Sequence, residues 1–307
     1  MILEKSTGST RAGWFKHGNS PVLGGNYGTC FDMSVLKEGE LYRMYFSWRP
    51  EKSLALVESK DGIHWSEPVI ILGPRETAEG WEDDLNRPVV IKHENRYHMW
   101  YTGQYKAGKV DGKSWIFYAV SDDGVEWQRV GMEPVLSAEE KWEKVAVMLP
   151  QVIWDNNENL FKMWYAAGEQ YEPNEVGYAT SPDGIQWTKH KANPVFRANK
   201  ECKWEQHKTA IGQVLKLDDW YLVFYIGFRD EHYAQIGIAR SKDGITKWER
   251  HPENPIIAPD EGNWDGEACY KPFTIFDGEK WLLWYNGRQG SLEQIGLAYK
   301  VGIELGF

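Results

Sequence analysis

Only three cysteines occur in 307 residues, at Cys30, Cys202 and Cys269. Odd in number and far apart, they supply neither a disulfide framework nor a zinc ligand set. A reducing compartment, the cytoplasm, is therefore the expected location. No stretch approaches the roughly 18 apolar residues of a membrane span, so no membrane partner is expected. The amino-terminal MILEKSTGSTRAGW has no long apolar core of the kind a secretory signal carries. Positive charge is also short, with 35 Lys and Arg against 45 Asp and Glu and a net charge of −10. That balance argues against nucleic acid, whose binding depends on neutralised phosphates and released counterions. No metal motif is present and no cofactor is required by the pattern; a calcium ion in a central channel, bound through His207 and water, would be an addition to it.

Aromatic residues are plentiful, with 17 Trp and 16 Tyr. Such side chains suit β-strands, and their flat apolar faces also suit sugar rings. One phrase recurs about every 60 residues: SKDGIHW from Ser59, SDDGVEW from Ser121, SPDGIQW from Ser181 and SKDGITKW from Ser241. Strand-like runs with period-two character precede each copy, as in LYRMYFSW and SLALVES. Asp-Gly between such runs marks a tight hairpin, because Gly accepts positive φ and Asp bonds back to the local backbone. The phrase reads as structural. Each repeat then gives four strands: an inner strand, a polar hairpin to the second, a longer loop to the third, and the Asp-Gly turn to the fourth.

Four-stranded sheets arranged radially make a β-propeller. A fifth set is visible as YKPFTIF, KWLLWYNG and QIGLAYK, after which no further phrase follows. Its fourth strand is expected from GWFKHGNSPVL, Gly13 to Leu23, which matches IQWTKHKANPVF, Ile185 to Phe196. The expectation is an all-β single domain over 1–307, a five-bladed propeller closed by the N-terminal strand. The blades span about 28–72, 84–136, 145–196, 206–257, and 267–300 with 13–23. An open ring would leave a split core and unpaired edges, so closure should matter for stability.

In this arrangement the inner-strand starts and the loops between second and third strands share one face. Asp32, Arg87, Leu149, Ile211 and Lys271 occupy equivalent inner positions. Four residues earlier stand Gly28, Asp83, Val145, His207 and Glu267. A preceding Trp-acid pair recurs at Glu82, Glu143, Glu205 and Asp265, and repetition marks it as a structural clasp. Residues that break the repeat are the candidates for chemistry: Asp32, Asp83, Asp84, Glu267, Arg87, Lys271 and His207. Charges in a narrow channel lose hydration, which is costly unless they are paired or functional. A purely structural salt-bridge ring of Asp32, Arg87 and Lys271 is the alternative. The face loops add Trp48, Arg49, Tyr105, Glu169, Tyr171, Arg229, Asp230, His232 and Arg288, aromatic platforms and planar donors suited to a polyhydroxylated ring.

With these features the chain resembles the five-bladed propeller glycoside hydrolases, the superfamily of families 32, 43, 62, 68, 117 and 130. The most specific local match is FDMSVL, Phe31 to Leu36, which resembles the family 43 phrase opening the first blade, with Met33 in place of its proline. The resemblance assigns Asp32 as general base. The family's other two carboxylates have no counterpart in VMLPQVIW and KTAIGQVL. Glu267, Asp83 and Asp84 are the candidates to replace them. The implied activity is an exo-acting glycosidase on a furanosyl or small pyranosyl residue such as arabinose, xylose or fructose. Asp32 would activate water, Glu267 would protonate the leaving oxygen, and Asp84 or Asp83 would hold hydroxyls or tune the acid. Arg87, Lys271 and His207 would bind ring oxygens. Carboxyl groups about 6.5–9.5 Å apart would imply inversion, and about 5–5.5 Å retention. Two other readings are a family 130-like phosphorylase, with phosphate held by Arg49, Arg87, Lys271 and His207, and a non-catalytic carbohydrate-binding propeller. The expected partner in each case is an oligosaccharide or glycoside.

Overall fold

The repeated phrases close tight turns through one set of hydrogen bonds. Ser59 Oγ accepts from the Gly62 N–H at 2.9 Å, and Asp61 Oδ1 accepts from the N–H groups of Ile63 and His64 at 2.9 and 2.8 Å. The turns at Ser121, Ser181 and Ser241 repeat the arrangement. Gly62, Gly124, Gly184 and Gly244 take φ of 73°, 79°, 77° and 72°, a region costly for any residue with a Cβ.

The computed structural model describes residues 9–75, 80–105, 112–169 and 172–307. Among them the fold is all-β, with helix confined to three single 3-10 turns. A short strand β1 (Phe15–Lys16) precedes β2 (Cys30–Glu38), β3 (Leu41–Trp48), β4 (Ser53–Ser59) and β5 (Val69–Leu72). Next come β6 (Asp84–His93), β7 (Arg96–Gln104), β8 (Ser114–Ser121) and β9 (Gln128–Arg129). The middle of the chain forms β10 (Ala146–Asp155), β11 (Leu160–Glu169), β12 (Glu172–Ser181) and β13 (Thr188–Lys189). After these lie β14 (Lys208–Leu217), β15 (Trp220–Phe228), β16 (Ala234–Ser241) and β17 (Glu249–Arg250). The last strands are β18 (Ala268–Phe276), β19 (Lys280–Gln289) and β20 (Leu292–Val301).

Strands β2 to β5 form one antiparallel sheet. The groups β6–β9 and β10–β13 touch through one parallel bridge, Ser114 to Ala146, and β14–β17 touches β18–β20 through Ala234 and Ala268. The N-terminal β1 pairs antiparallel with β20, Phe15 opposite Tyr299 and Lys16 opposite Ala298. It thus supplies the outer strand of the last group, as the sequence match requires.

The recurring acids form the clasps expected of them. Glu82 accepts from Tyr101 Oη and Arg129 Nε, both at 2.8 Å, and is fully buried. Glu143 takes Tyr165 and Lys189 at 2.6 and 2.7 Å, and Glu205 takes Arg250 at 2.8 Å. In the last group Asp265 takes Tyr285 at 3.0 Å and Lys16 at 2.7 Å. Lys16 on β1 therefore does the work that Arg129, Lys189 and Arg250 do on the other outer strands.

Apolar side chains fill the spaces between successive groups. Leu56 and Tyr45 pack with Tyr97 and Met99, Trp100 with Met163, and Trp164 with Val223. Trp14, Phe224 and Ile238 pack with Leu283, while Val35 and Met44 pack with Phe273 and Trp284. Ring donors reach from four of the five groups into a turn of the next. Tyr45 Oη bonds the Gly124 carbonyl at 3.1 Å, Trp100 Nε1 that of Gly184 at 2.9 Å, and Trp164 Nε1 that of Gly244 at 2.8 Å. Trp284 in the last group bonds the carbonyl of Gly62 in the first at 2.9 Å.

Candidate active site

Every inner strand carries a β-bulge at the same place. The register shifts between Phe31 and Ser34, Asn86 and Val89, Met148 and Gln151, Ile211 and Gln213, and Tyr270 and Phe273. At four of these points the bulged residue is left-handed: Asp32 at φ 52°, Arg87 at 56°, Leu149 at 54° and Lys271 at 47°. The next residue is Met33, Pro88, Pro150, Gly212 or Pro272. Proline fits there because a bulge takes its N–H out of the ladder. Freed from the ladder, the bulged N–H groups bond side chains of the neighbouring group: Asp32 to Asn286 Oδ1 at 3.0 Å, Arg87 to Ser47 Oγ at 2.8 Å, Leu149 to Thr102 Oγ1 at 3.1 Å. The bulges bring Asp32 and Arg87 into an ion pair, with Lys271 near enough to feel both charges.

Asp32 is buried. Its Oδ1 accepts from Asn286 Nδ2 at 2.8 Å, and its Oδ2 pairs with Arg87 Nε at 3.3 Å. Arg87 Nη1 also donates to Asn86 Oδ1 at 2.9 Å. Lys271 is 1% exposed and donates to the Gly212 carbonyl at 2.9 Å. Burial pushes its ammonium down to about 8, Arg87 adding to the effect and Asp32 opposing it.

Asp84 opens β6 opposite Gln104 and is also buried. Burial raises its pKa above the ordinary carboxylate range, against Arg49, Arg87 and Lys52, with Asp83 adding to the rise. A third carboxylate, Glu293, completes the cluster. It accepts a hydrogen bond from Tyr270 Oη and lies 3.4 Å from Arg49. The Arg49 guanidinium lies 4.3 Å from the centre of the Phe31 ring, beside Asp32 in sequence. Burial, Glu293 and Asp32 hold the Tyr270 phenol well above its usual value. Asn286, Glu293 and Tyr270 were not selected from the sequence. Asn286 stands on β19 where Ser47 and Thr102 stand on β3 and β7, and that equivalence was the available signal.

The remaining candidates make contacts of their own. Trp48 donates from Nε1 to the Tyr27 carbonyl at 2.8 Å, and Tyr105 packs edge-on against Trp115. Glu267 is half-exposed and lies 3.6 Å from Arg288, whose Nη2 bonds the His232 carbonyl at 2.7 Å. It borders a groove with Arg229, His232 and Arg288. Arg229 pairs with Asp230 at 2.9 Å and stacks on Tyr233. Exposed His207 and Glu169, the latter paired with Lys144 at 2.6 Å, border a groove of about 880 Å³ that also reaches Arg288. Asp83 is half-buried beside Asp84. Tyr171 lies outside the described residues. Among the described residues no group of three or more His, Cys, Asp or Glu could hold a metal ion.

Lys271 gives a test of the cluster's electrostatics. Its folded pKa of about 8 lies below the ordinary 10.5, so between those values the unfolded chain binds more protons. Stability therefore rises with pH across that window as the cost of burying the ammonium disappears. Lys271→Met should gain stability relative to the wild type at pH 7, and the gain should shrink by about 2–3 kcal/mol by pH 10. Urea unfolding at the two pH values measures it; a pH-independent difference would contradict the assignment.

An uncharacterized protein of Mycobacterium tuberculosis (strain CDC 1551 / Oshkosh) is 25% identical over 280 residues, 85% of this chain and 88% of that one. A 1,2-beta-oligomannan phosphorylase of Thermoanaerobacter sp. (strain X514) is 25% identical over 231 residues, covering 73% of this chain and 69% of its own. Among solved structures, one described as a glycoside hydrolase superposes with a TM-score of 0.77 at 20% identity, over 96% of this chain and 93% of that one. Residues 19–301 match the model of glycosyl hydrolases family 43, and the chain belongs to that family.

Proposed function

We propose that the chain is a glycosidase built as a closed five-bladed propeller, with Asp32 and Asp84 as its acid–base pair. Support for the ring comes from the bond of Trp284 to Gly62, which repeats between last and first groups the contact made elsewhere between neighbours. A cavity of about 440 Å³, lined by Val35, Val89, Val152, Val214 and Phe273, draws on β2, β6, β10, β14 and β18 together. A common axis accounts for both.

The observation that carries the chemistry is the different surroundings of two carboxyls that both feel the charge of Arg87. Asp32 is paired with Arg87 and fixed by Asn286, placed to take a proton from water. Asp84 is desolvated, and its raised pKa suits a proton donor. Water attacks the anomeric carbon and gives its proton to Asp32. The bond to the leaving oxygen breaks, and that oxygen takes the proton of Asp84. Half-exposed Glu267 lacks such a desolvated setting, so the acid role moves to Asp84. The substrate class proposed is a terminal furanosyl or small pyranosyl residue cleaved in exo fashion, with Arg49, Glu293 and Tyr270 available to its hydroxyls.

The acid must be protonated to act, so kcat/KM should fall as pH rises through the raised pKa of Asp84. Asp84→Asn should lower turnover of alkyl glycosides at least about 100-fold, but turnover of nitrophenyl glycosides, whose leaving group needs little protonation, by less than about tenfold. Equal losses on both would remove Asp84 from this role. A second reading, phosphorolysis, draws on the cations Arg49, Arg87 and Lys271 and on the oligomannan phosphorylase among the relatives. Turnover of arabinosides, xylosides, fructosides and mannosides with and without inorganic phosphate separates the two; strict dependence on phosphate would replace hydrolysis.

A further inference from the structure

The groove beside the active site reverses the charge of the protein around it. The chain carries 35 cationic against 45 acidic side chains. The described lining of the groove has Lys144, Arg197, Lys200, Lys208 and Arg288 against only Glu169, Glu175 and Glu231. Glu169 pairs with Lys144 at 2.6 Å and Glu175 with Arg197 at 3.2 Å, so these offset one another and the excess rests on Lys200, Lys208 and Arg288 over Glu231. Lys208 is 6% exposed, and its ammonium lies 4.7 Å from the centre of the Phe228 ring. Lys200 is exposed, its ammonium turned back to the His207 carbonyl at 2.9 Å. A half-exposed indole, Trp142, supplies an apolar wall.

At about 880 Å³ the groove has room for sugar rings rather than a single small ion. Arg288 links it to the reaction centre, because the same guanidinium borders the groove and acts on Tyr270, the neighbour of Glu293 and Asp32. We propose that this groove seats the leaving-group side of an acidic saccharide, a chain bearing uronate carboxylates, while its terminal residue lies at Asp32. The assignment rests on the glycosidase reading and extends it to a substrate class. An aromatic wall takes the face of a ring, and cations at the edges take its carboxylates by charge-assisted hydrogen bonds. In a protein of net negative charge, a local cationic channel also steers an anionic chain to the correct side.

Binding can be read without turnover, so its failure is distinguishable from failure of the glycosidase reading, which nitrophenyl glycoside hydrolysis reports separately. Calorimetric titration of the intact protein with digalacturonate, galactobiose and inorganic phosphate is the experiment. Digalacturonate should bind at least about tenfold more tightly than galactobiose at low salt, and the difference should contract in about 0.5 M NaCl. Lys208→Gln should weaken digalacturonate about tenfold, and the exposed Lys200→Gln, which leaves packing untouched, severalfold. Equal affinity for the two disaccharides, or no binding of either, overturns the proposal. Inorganic phosphate binding as tightly as digalacturonate and displacing it would also overturn it, marking a small-anion site instead.

Discussion

Asp32→Asn is expected to lower kcat at least about a thousandfold, because the amide cannot take the proton of the attacking water. The fold should survive the change. Arg87 keeps Asn86 at 2.9 Å, Lys271 keeps the Gly212 carbonyl at 2.9 Å, and the backbone N–H at position 32 keeps Asn286 at 3.0 Å. The cost is the loss of one negative charge beside two cations, about 3 kcal/mol, which should show as a lower Tm with a cooperative melt retained. Steady-state rates on a nitrophenyl glycoside, with a thermal melt on the same sample, separate catalytic loss from structural loss. Activity within tenfold of the wild type would end the assignment of Asp32 as base.

Removing the residues before Gly24 should have the largest effect on stability. The segment carries Trp14, 1% exposed between Phe224 and Leu283, and Leu23, 5% exposed against the first and last groups. Losing a buried Trp costs about 3–5 kcal/mol. The deletion also takes away Lys16, leaving Asp265, 1% exposed, without its cation. An uncompensated buried charge adds about 3–5 kcal/mol. Together these approach the whole stability of a typical domain, about 5–15 kcal/mol. The truncated chain should therefore lack a cooperative melt by circular dichroism, whereas Lys16→Met should fold and melt below the wild type. A truncated chain melting within a few degrees of the intact one would show that the last group needs no strand from the N-terminus.

These two experiments probe unequal kinds of legibility. The turn phrase, the Trp-acid clasp and the match of Gly13–Leu23 to Ile185–Phe196 could be read directly, because turns and clasps are made by residues close in sequence and repeated. Lys16 opposite Asp265 follows from the same alignment: a basic residue stands where Arg129, Lys189 and Arg250 stand. The equivalence of Asp32, Arg87 and Lys271 was also legible. The proline after Arg87 and Lys271 marks the same bulge that Met33 follows in the first group, although the left-handed backbone itself was not foreseen.

The proposed acid–base pairing was less legible. Glu267 and Asp84 look alike as acids near the start of inner strands. One ends half-exposed 3.6 Å from Arg288, and the other ends desolvated near Arg87 and Arg49. Asn286 joins Asp32, and Glu293 joins Arg49, each from more than 240 residues away, through contacts between the first and last groups. By itself, then, the sequence determined the all-β repeat, the strand supplied from the N-terminus and the inner-strand positions open to chemistry, since each depends on local turn geometry or periodicity. Only the tertiary structure decided which carboxyl is stripped of water and which cation faces it, because desolvation and charge proximity are properties of neighbours that chain order does not specify.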